Sequence, residues 1–155
     1  MSEIDGFDLL RRFISKPVFQ KATAPLKTGV EVAVQLDTPG SPWTLCRKEN
    51  QTELLNSPAT KPDMTFIIPL AGLESLEKLE TEDVGEVGVA LLQLLIHEDP
   101  ARRMQAKVHI GPLDLFWKGY WGILPLGGPT VMKFLASKGM TNLSKIKEGI
   151  ARFRD

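Results

Sequence analysis

Few side chains in this 155-residue chain belong to the types that do chemistry, and their spacing joins them into no catalytic set. His97 and His109 are the two histidines, and Cys46 is the single cysteine. The histidines do not form an i,i+4 pair, no His-x-Glu pattern accompanies them, and one cysteine cannot complete a Cys-rich centre, so no metal is expected. His97 ends a helical pattern, where a cation favours the helix dipole, and that capping role outweighs catalysis. His109 alternates with Val108 and Ile110 and faces away from them; the other reading is a polar anchor at a pocket edge. Cys46 lies between Leu45 and Arg47 in a strand-like run, with no base to pair it with, so a buried structural thiol is the default. Asp63 stands where a strand begins, either as a turn residue or as a group orienting a neighbouring loop.

Two longer segments offer further chemistry. Leu126-Gly127-Gly128-Pro129-Thr130 precedes a helical pattern, and a helix N-terminus can hold an anion. It lacks the Gly-x-x-x-x-Gly-Lys spacing and Pro129 removes one amide donor, so it reads as a turn and cap. Phe116-Trp117-Lys118-Gly119-Tyr120-Trp121-Gly122 is the densest aromatic cluster. Aromatics with an interleaved lysine can stack bases, but no basic groove accompanies them and no nucleic acid is expected. The cluster reads as core, as a pocket wall or as a rim touching a membrane. No catalytic residue and no cofactor are assigned, and the protein is expected not to be an enzyme.

Composition sets the frame for these residues. Hydrophobic residues make up 43% and charged residues 25% of the chain, ordinary values for a folded domain, which exclude disorder and collagen-like repeats. Nineteen Lys+Arg balance nineteen Asp+Glu, but not locally. Eight acidic residues between Glu74 and Asp99 face Lys78 alone, whereas the stretch from Arg102 to Asp155 carries a net charge of +7. The basic residues are scattered and form no run, so they read as a solvated surface, with anionic lipid headgroups as the other reading. Met1-Ser2-Glu3-Ile4-Asp5 is acidic where a signal peptide would be basic. The longest apolar stretch, Val87 to Ile96, is far shorter than the ~20 residues that cross a bilayer. With one cysteine, these features predict a cytoplasmic protein.

Periodicity then predicts the elements. Phe7, Leu10 and Ile14, with Leu9 and Phe13, form the stripe of a helix over 5–15 that Pro17 ends. Val30, Val32, Val34 and Leu36 alternate with polar or small residues, as in a half-buried strand. Turn chemistry over 37–42 leads to a returning strand, Trp43 to Lys48, and a short third strand follows over Thr52–Leu55. Asp63 to Ile68 reads as a strand, Leu70 to Leu79 as a helix, and Val84 to His97 as a helix apolar nearly all round. Its one face carries Val84, Val87, Leu91, Leu94 and Leu95, its other Val89, Leu92 and Ile96. Ala106–Ile110 is a strand, and Phe116 to Leu124 a strand or a ligand-facing loop. A helix opens at Gly128-Pro129 and is capped by Gly139, and a last helix runs over about 142–154. Strands first and helices later, without strict alternation, predict an α+β fold: an antiparallel sheet with helices packed on one face.

The hairpin at Val30–Lys48, the Asp63-Met64-Thr65-Phe66-Ile67-Ile68 strand, the leucine-spaced helix behind it and the later Lys107-Val108-His109-Ile110-Gly111 strand together resemble the sterol-carrier-protein-like lipid-transfer domain. The resemblance covers roughly residues 18 to 137, with Ala106 standing where the family pattern has glycine. It implies one domain over 1–155, with an N-terminal helix over 1–16, a C-terminal helix over 141–155 and an apolar cavity between sheet and helices. It further implies non-enzymatic binding or transfer of a lipid or other apolar small molecule, with transient contact to a membrane surface allowed. The alternative is a protein-interaction or accessory module that uses an apolar groove. Leu92, Ile96, Phe116, Trp121 and Met132 are the expected ligand contacts, because they lie off the clearest core stripes yet are too apolar for water.

Overall fold

A computed structural model describes residues 6–37 and 42–137. Two short helices lead, α1 (Gly6–Ile14) and α2 (Pro17–Ala22). Pro17 ends the first, as expected, and also starts the second at its first position, where a missing N–H leaves no hydrogen bond unmade. The strands β1 (Glu31–Leu36), β2 (Trp43–Arg47), β3 (Thr52–Leu55) and β4 (Met64–Ile68) follow. Helices α3 (Leu70–Glu77) and α4 (Val84–Leu95) lead to β5 (Gln105–Val108), α5 (Pro112–Trp117), a 3-10 turn at Tyr120–Gly122 and α6 (Ile123–Ser137).

The fold is α+β, with one five-stranded mixed sheet in the order β3-β2-β1-β4-β5. The expected sheet was antiparallel throughout, and one pairing corrects it: β4 runs parallel to β1, with Val32 beside Met64 and Leu36 beside Ile68. The other three pairings are antiparallel. Side-chain alternation identifies a strand but carries no information on its direction. Because β3 and β4 both run with β1, the chain between them must travel back along the sheet before β4 begins. The Thr44 hydroxyl holds that return segment by donating to the carbonyl of Ser57 at 2.7 Å.

Register places Val32, Val34 and Leu36 on one face with Trp43 and Leu45 of β2 and Met64, Phe66 and Ile68 of β4. Helices cover this inner face. Leu9, Leu10, Phe13 and Ile14 of α1, Leu73 and Leu76 of α3, and Val84, Val87 and Leu94 of α4 join it in one buried cluster. The first-turn amide of α3 at Leu70 donates to Asp37 Oδ1 at 2.9 Å, which replaces the cap that Pro69 cannot supply. Asp83 caps α4 by accepting from the Gly85 N–H at 2.8 Å. The all-round apolar character of α4 follows from its position, with the core on one side and α6 on the other. A Cβ on Gly88 would sit 3.2 Å from Val131 of α6, so the two helices meet closely there.

One expectation along the second half changes and another holds. The segment 116–124, read as a strand or loop, is the end of α5, the 3-10 turn and the start of α6. Its aromatic richness mimics β composition, while Pro112 and Asp114 supply the helix start. Gly128-Pro129 opens a helix as expected: Gly128 is non-helical, with φ 58 and ψ −150, and divides α6 into a short helical piece that starts at Ile123 and the helix that follows to Ser137. The Gly139 cap and the helix over 141–155 lie outside the described residues, as does the first part of the N-terminal helix expected over 1–16.

Leu73 is fully buried beneath the sheet-facing layer, so Leu73→Ala should cost about 2–5 kcal/mol in denaturant melts. Leu91→Ala, at a half-buried site on α4, should cost less than Leu73→Ala in the same measurement.

Candidate functional site

The inner sheet face and the helices do not close completely on each other. A pocket of about 280 Å³ lies between them. Val34, Leu45 and Phe66 wall it from the sheet, Phe13 and Phe19 from α1 and α2, and Val87, Leu91 and Leu95 from α4. Nearly all of the wall is hydrocarbon, and apolar cavities of this kind stay dry and accept apolar guests. Its size falls near the lower end of ligand pockets, roughly 300 Å³.

Tyr120 and Ile123 contribute to the wall from beyond β5, and a buried carboxylate places them. Asp63, 3% exposed, accepts from Lys118 Nζ at 2.5 Å and from Tyr120 Oη at 2.9 Å. Burial, then the Asp63 charge, pushes the Tyr120 phenol far above its ordinary pKa, so it stays a protonated donor. The Asp63 amide donates to the Glu31 carbonyl at 2.8 Å, and its carbonyl accepts from the His109 N–H at 2.9 Å. Of the two readings for Asp63, the structure shows the orienting one: its side chain draws residues 118–120 onto the sheet. Gly119 makes this approach sterically feasible. Its φ is +92, and a Cβ there would lie 2.1 Å from the Pro25 carbonyl oxygen.

A second polar group borders the pocket near the start of β1. Arg47, Thr52 and Thr23 all line it. Arg47 Nη1 donates to Thr52 Oγ1 at 3.3 Å, and Thr52 Oγ1 donates to Thr23 Oγ1 at 2.7 Å. Gln20 fixes Thr52 from α2, donating to its carbonyl at 3.0 Å and accepting from its amide at 2.9 Å. Sequence reasoning assigned Arg47 no role. The available signal was phase, since Arg47 falls on the same side of its strand as Trp43 and Leu45.

The five expected contacts lie elsewhere. Leu92 and Trp121 are half-buried, Ile96, Phe116 and Met132 are exposed, and none lines this pocket. Positions off the core stripe of α4 face α6 or the surface, whereas the pocket is lined from the stripe itself. Of the aromatic cluster, Tyr120 is pocket wall, while Phe116 and Trp117 are exposed and meet edge-on at 5.4 Å. With Leu113 they make an exposed apolar face on α5.

The remaining candidates sit away from the pocket or are inert. His97 follows the α4 C-cap, and its Nδ1 accepts from the Asp99 N–H at 3.1 Å. His109 is exposed with Nε2 2.8 Å from Thr65 Oγ1. Cys46 is buried, and burial raises its thiol pKa. Among the described residues, no three His, Cys, Asp or Glu side chains gather where a metal ion could be held. No helix among them is long and apolar enough to cross a membrane.

No family model matches the sequence, and no curated protein matches it. One similar solved structure is titled "UbiJ-SCP2 Ubiquinone synthesis protein". It is 19% identical, the alignment covers 77% of this chain and 90% of that one, and the TM-score is 0.40. At that TM-score the likeness carries no weight, and the fold rests on the sheet order and register themselves.

Gly119→Ala should destabilise the protein by roughly 2–4 kcal/mol, because it combines positive-φ strain with a clash against the Pro25 backbone. Thermal or denaturant melts measure it, and a loss under about 0.5 kcal/mol would show that Gly119 is not held against the Pro25 backbone.

Proposed function

We propose that the protein is a non-enzymatic carrier that holds a lipid or similar apolar molecule in the pocket between sheet and helices. The observation that carries this reading is the pocket's hydrocarbon wall, built by the sheet and five helices. Sequestering an apolar molecule from water requires dry surface and no proton transfer, since the driving force is the area removed from water. The polar groups on the wall are mutually hydrogen-bonded threonines, a tyrosine engaged by Asp63, and one arginine. Their polar atoms are turned into hydrogen bonds with one another and leave the pocket surface hydrocarbon.

A second reading has its own observation. Leu113, Phe116 and Trp117 are 68%, 58% and 59% exposed on adjacent turns of α5. An aromatic face of this kind suits an interaction module that docks a partner, or brief contact with a membrane surface. The two readings are compatible, since α5 is joined directly to the residues that wall the pocket.

Titration of a fluorescent fatty-acyl probe, followed by energy transfer from tryptophan, tests the carrier reading. Binding should saturate in the micromolar range or below. Leu91→Glu should weaken it at least tenfold by placing a carboxylate in dry surroundings. Leu91→Trp should do so by filling the space while keeping the wall apolar. Leu92→Glu, outside the wall, should leave binding within about threefold of wild type. No binding of any acyl or sterol probe at high micromolar concentration contradicts the carrier reading and leaves the interaction module.

A further inference from the structure

Apolar exposure is concentrated in one stretch of the chain. Of the seven large hydrophobic side chains exposed among the described residues, only Leu55 and Ile96 lie outside 113–132. From Gly119 to Met132 the sequence carries no charged residue. Leu113, Phe116 and Trp117 are three and four residues apart and so share one face of α5, each more than half exposed. Leu115, on the other side of the helix, is buried. The face stands on a fixed base: the Lys118 carbonyl accepts from the Lys27 N–H at 3.0 Å, and the Lys118 ammonium meets Asp63.

A second copy of the chain fits this face poorly. A stable interface takes about 800 Å² from each partner, whereas three partly exposed side chains supply a few hundred Å². A bilayer surface asks for less area, because apolar side chains sink among the headgroups while the rest of the protein stays in water. Tryptophan suits that boundary, its ring apolar and its indole N–H able to bond at headgroup level. Cations border the face. Lys27 is joined to the C-terminal end of α5 through the Lys118 carbonyl, and Lys61 lies two residues before Asp63, which holds Lys118. Both lysines are exposed, and neither has an ion pair among the described residues. Asp114 is the one carboxylate on α5. We propose that the α5 face docks on a membrane surface containing anionic lipid, with Leu113, Phe116 and Trp117 entering the interface and Lys27 and Lys61 meeting the headgroups. Docking stands independently of any guest. On the carrier reading it also brings Tyr120 and Ile123, which wall the pocket just beyond α5, close to the bilayer, so that an apolar guest need not cross open water.

Co-sedimentation with vesicles tests the docking, using phosphatidylcholine alone or mixed equally with phosphatidylglycerol. Wild type should pellet with the mixed vesicles, and its tryptophan emission should shift to the blue. The paired changes Phe116→Ser and Trp117→Ser should lower the partition coefficient at least about tenfold. Both sites are exposed, so the variant should keep the wild-type circular dichroism spectrum and bind the acyl probe as wild type does. Lys27→Gln with Lys61→Gln should weaken binding to the mixed vesicles about tenfold and leave binding to phosphatidylcholine unchanged. Wild type left in the supernatant, or pelleting unaffected by the serine changes, overturns the docking whether or not the acyl probe binds. Equal pelleting on the two vesicle types overturns the need for anionic lipid. Wild type that stays in the supernatant as a concentration-dependent dimer, abolished by the serine changes, gives the face to a second copy and overturns the membrane. Loss of acyl-probe binding with pelleting kept overturns the carrier reading and leaves the docking in place.

Discussion

One buried carboxylate ties together parts of the chain that are far apart in sequence. Asp63 enters β4 with its amide bound to the Glu31 carbonyl and its carbonyl bound to the His109 amide. These contacts hold β4 between β1 and β5. Its side chain takes Lys118 and Tyr120, which fixes the segment between α5 and α6 against the sheet. A carboxylate taken out of water is costly unless every lone pair finds a donor. The segment 118–122 is therefore bound to its place by the charge it satisfies. Tyr120 and Ile123 join the pocket wall as a consequence.

The pocket follows from layers that each have an apolar side to bury. The inner sheet face is covered by α1, α3 and α4, and α4 is itself covered by α6 through the close approach at Gly88. Two buried charges, Asp63 and Arg47, flank the start of β1. Asp63 is paired with the Lys118 ammonium and accepts a hydrogen bond from the neutral Tyr120 phenol, and its effect is structural. Arg47 hydrogen-bonds to the Val30 carbonyl through its backbone amide, and its guanidinium donates to the Thr52 hydroxyl that also bonds Thr23.

Much of the fold was legible in the sequence, for reasons that also explain what was not. The alternation over Val30–Leu36 and the spacing over Leu70–Leu79 and Val84–His97 located β1, α3 and α4 to within a few residues. Those patterns come from burial of one side, which is a local property. The parallel pairing of β4 with β1 depends on how residues 56–63 cross the sheet, and no local pattern encodes it. The helix α2 was missed because Pro17 was read as a stop alone, though proline is equally suited to a first helical turn. The candidate site was less legible. Choosing contacts off the core stripe of α4 led to Leu92 and Ile96, whereas Leu91 and Leu95 on that stripe line the pocket. A pocket inside the core is lined by residues with the same periodicity as the core, so spacing cannot separate them.

The central claim is that the space between sheet and helices is a binding site and not a packing void. Native mass spectrometry after equilibration with a total lipid extract and removal of the excess tests it most directly. The account predicts a one-to-one complex with an amphiphile, lost when the protein is denatured, and depleted in a Leu91→Trp variant whose pocket is filled. The bare chain mass alone, from protein shown by circular dichroism to be folded, would contradict it.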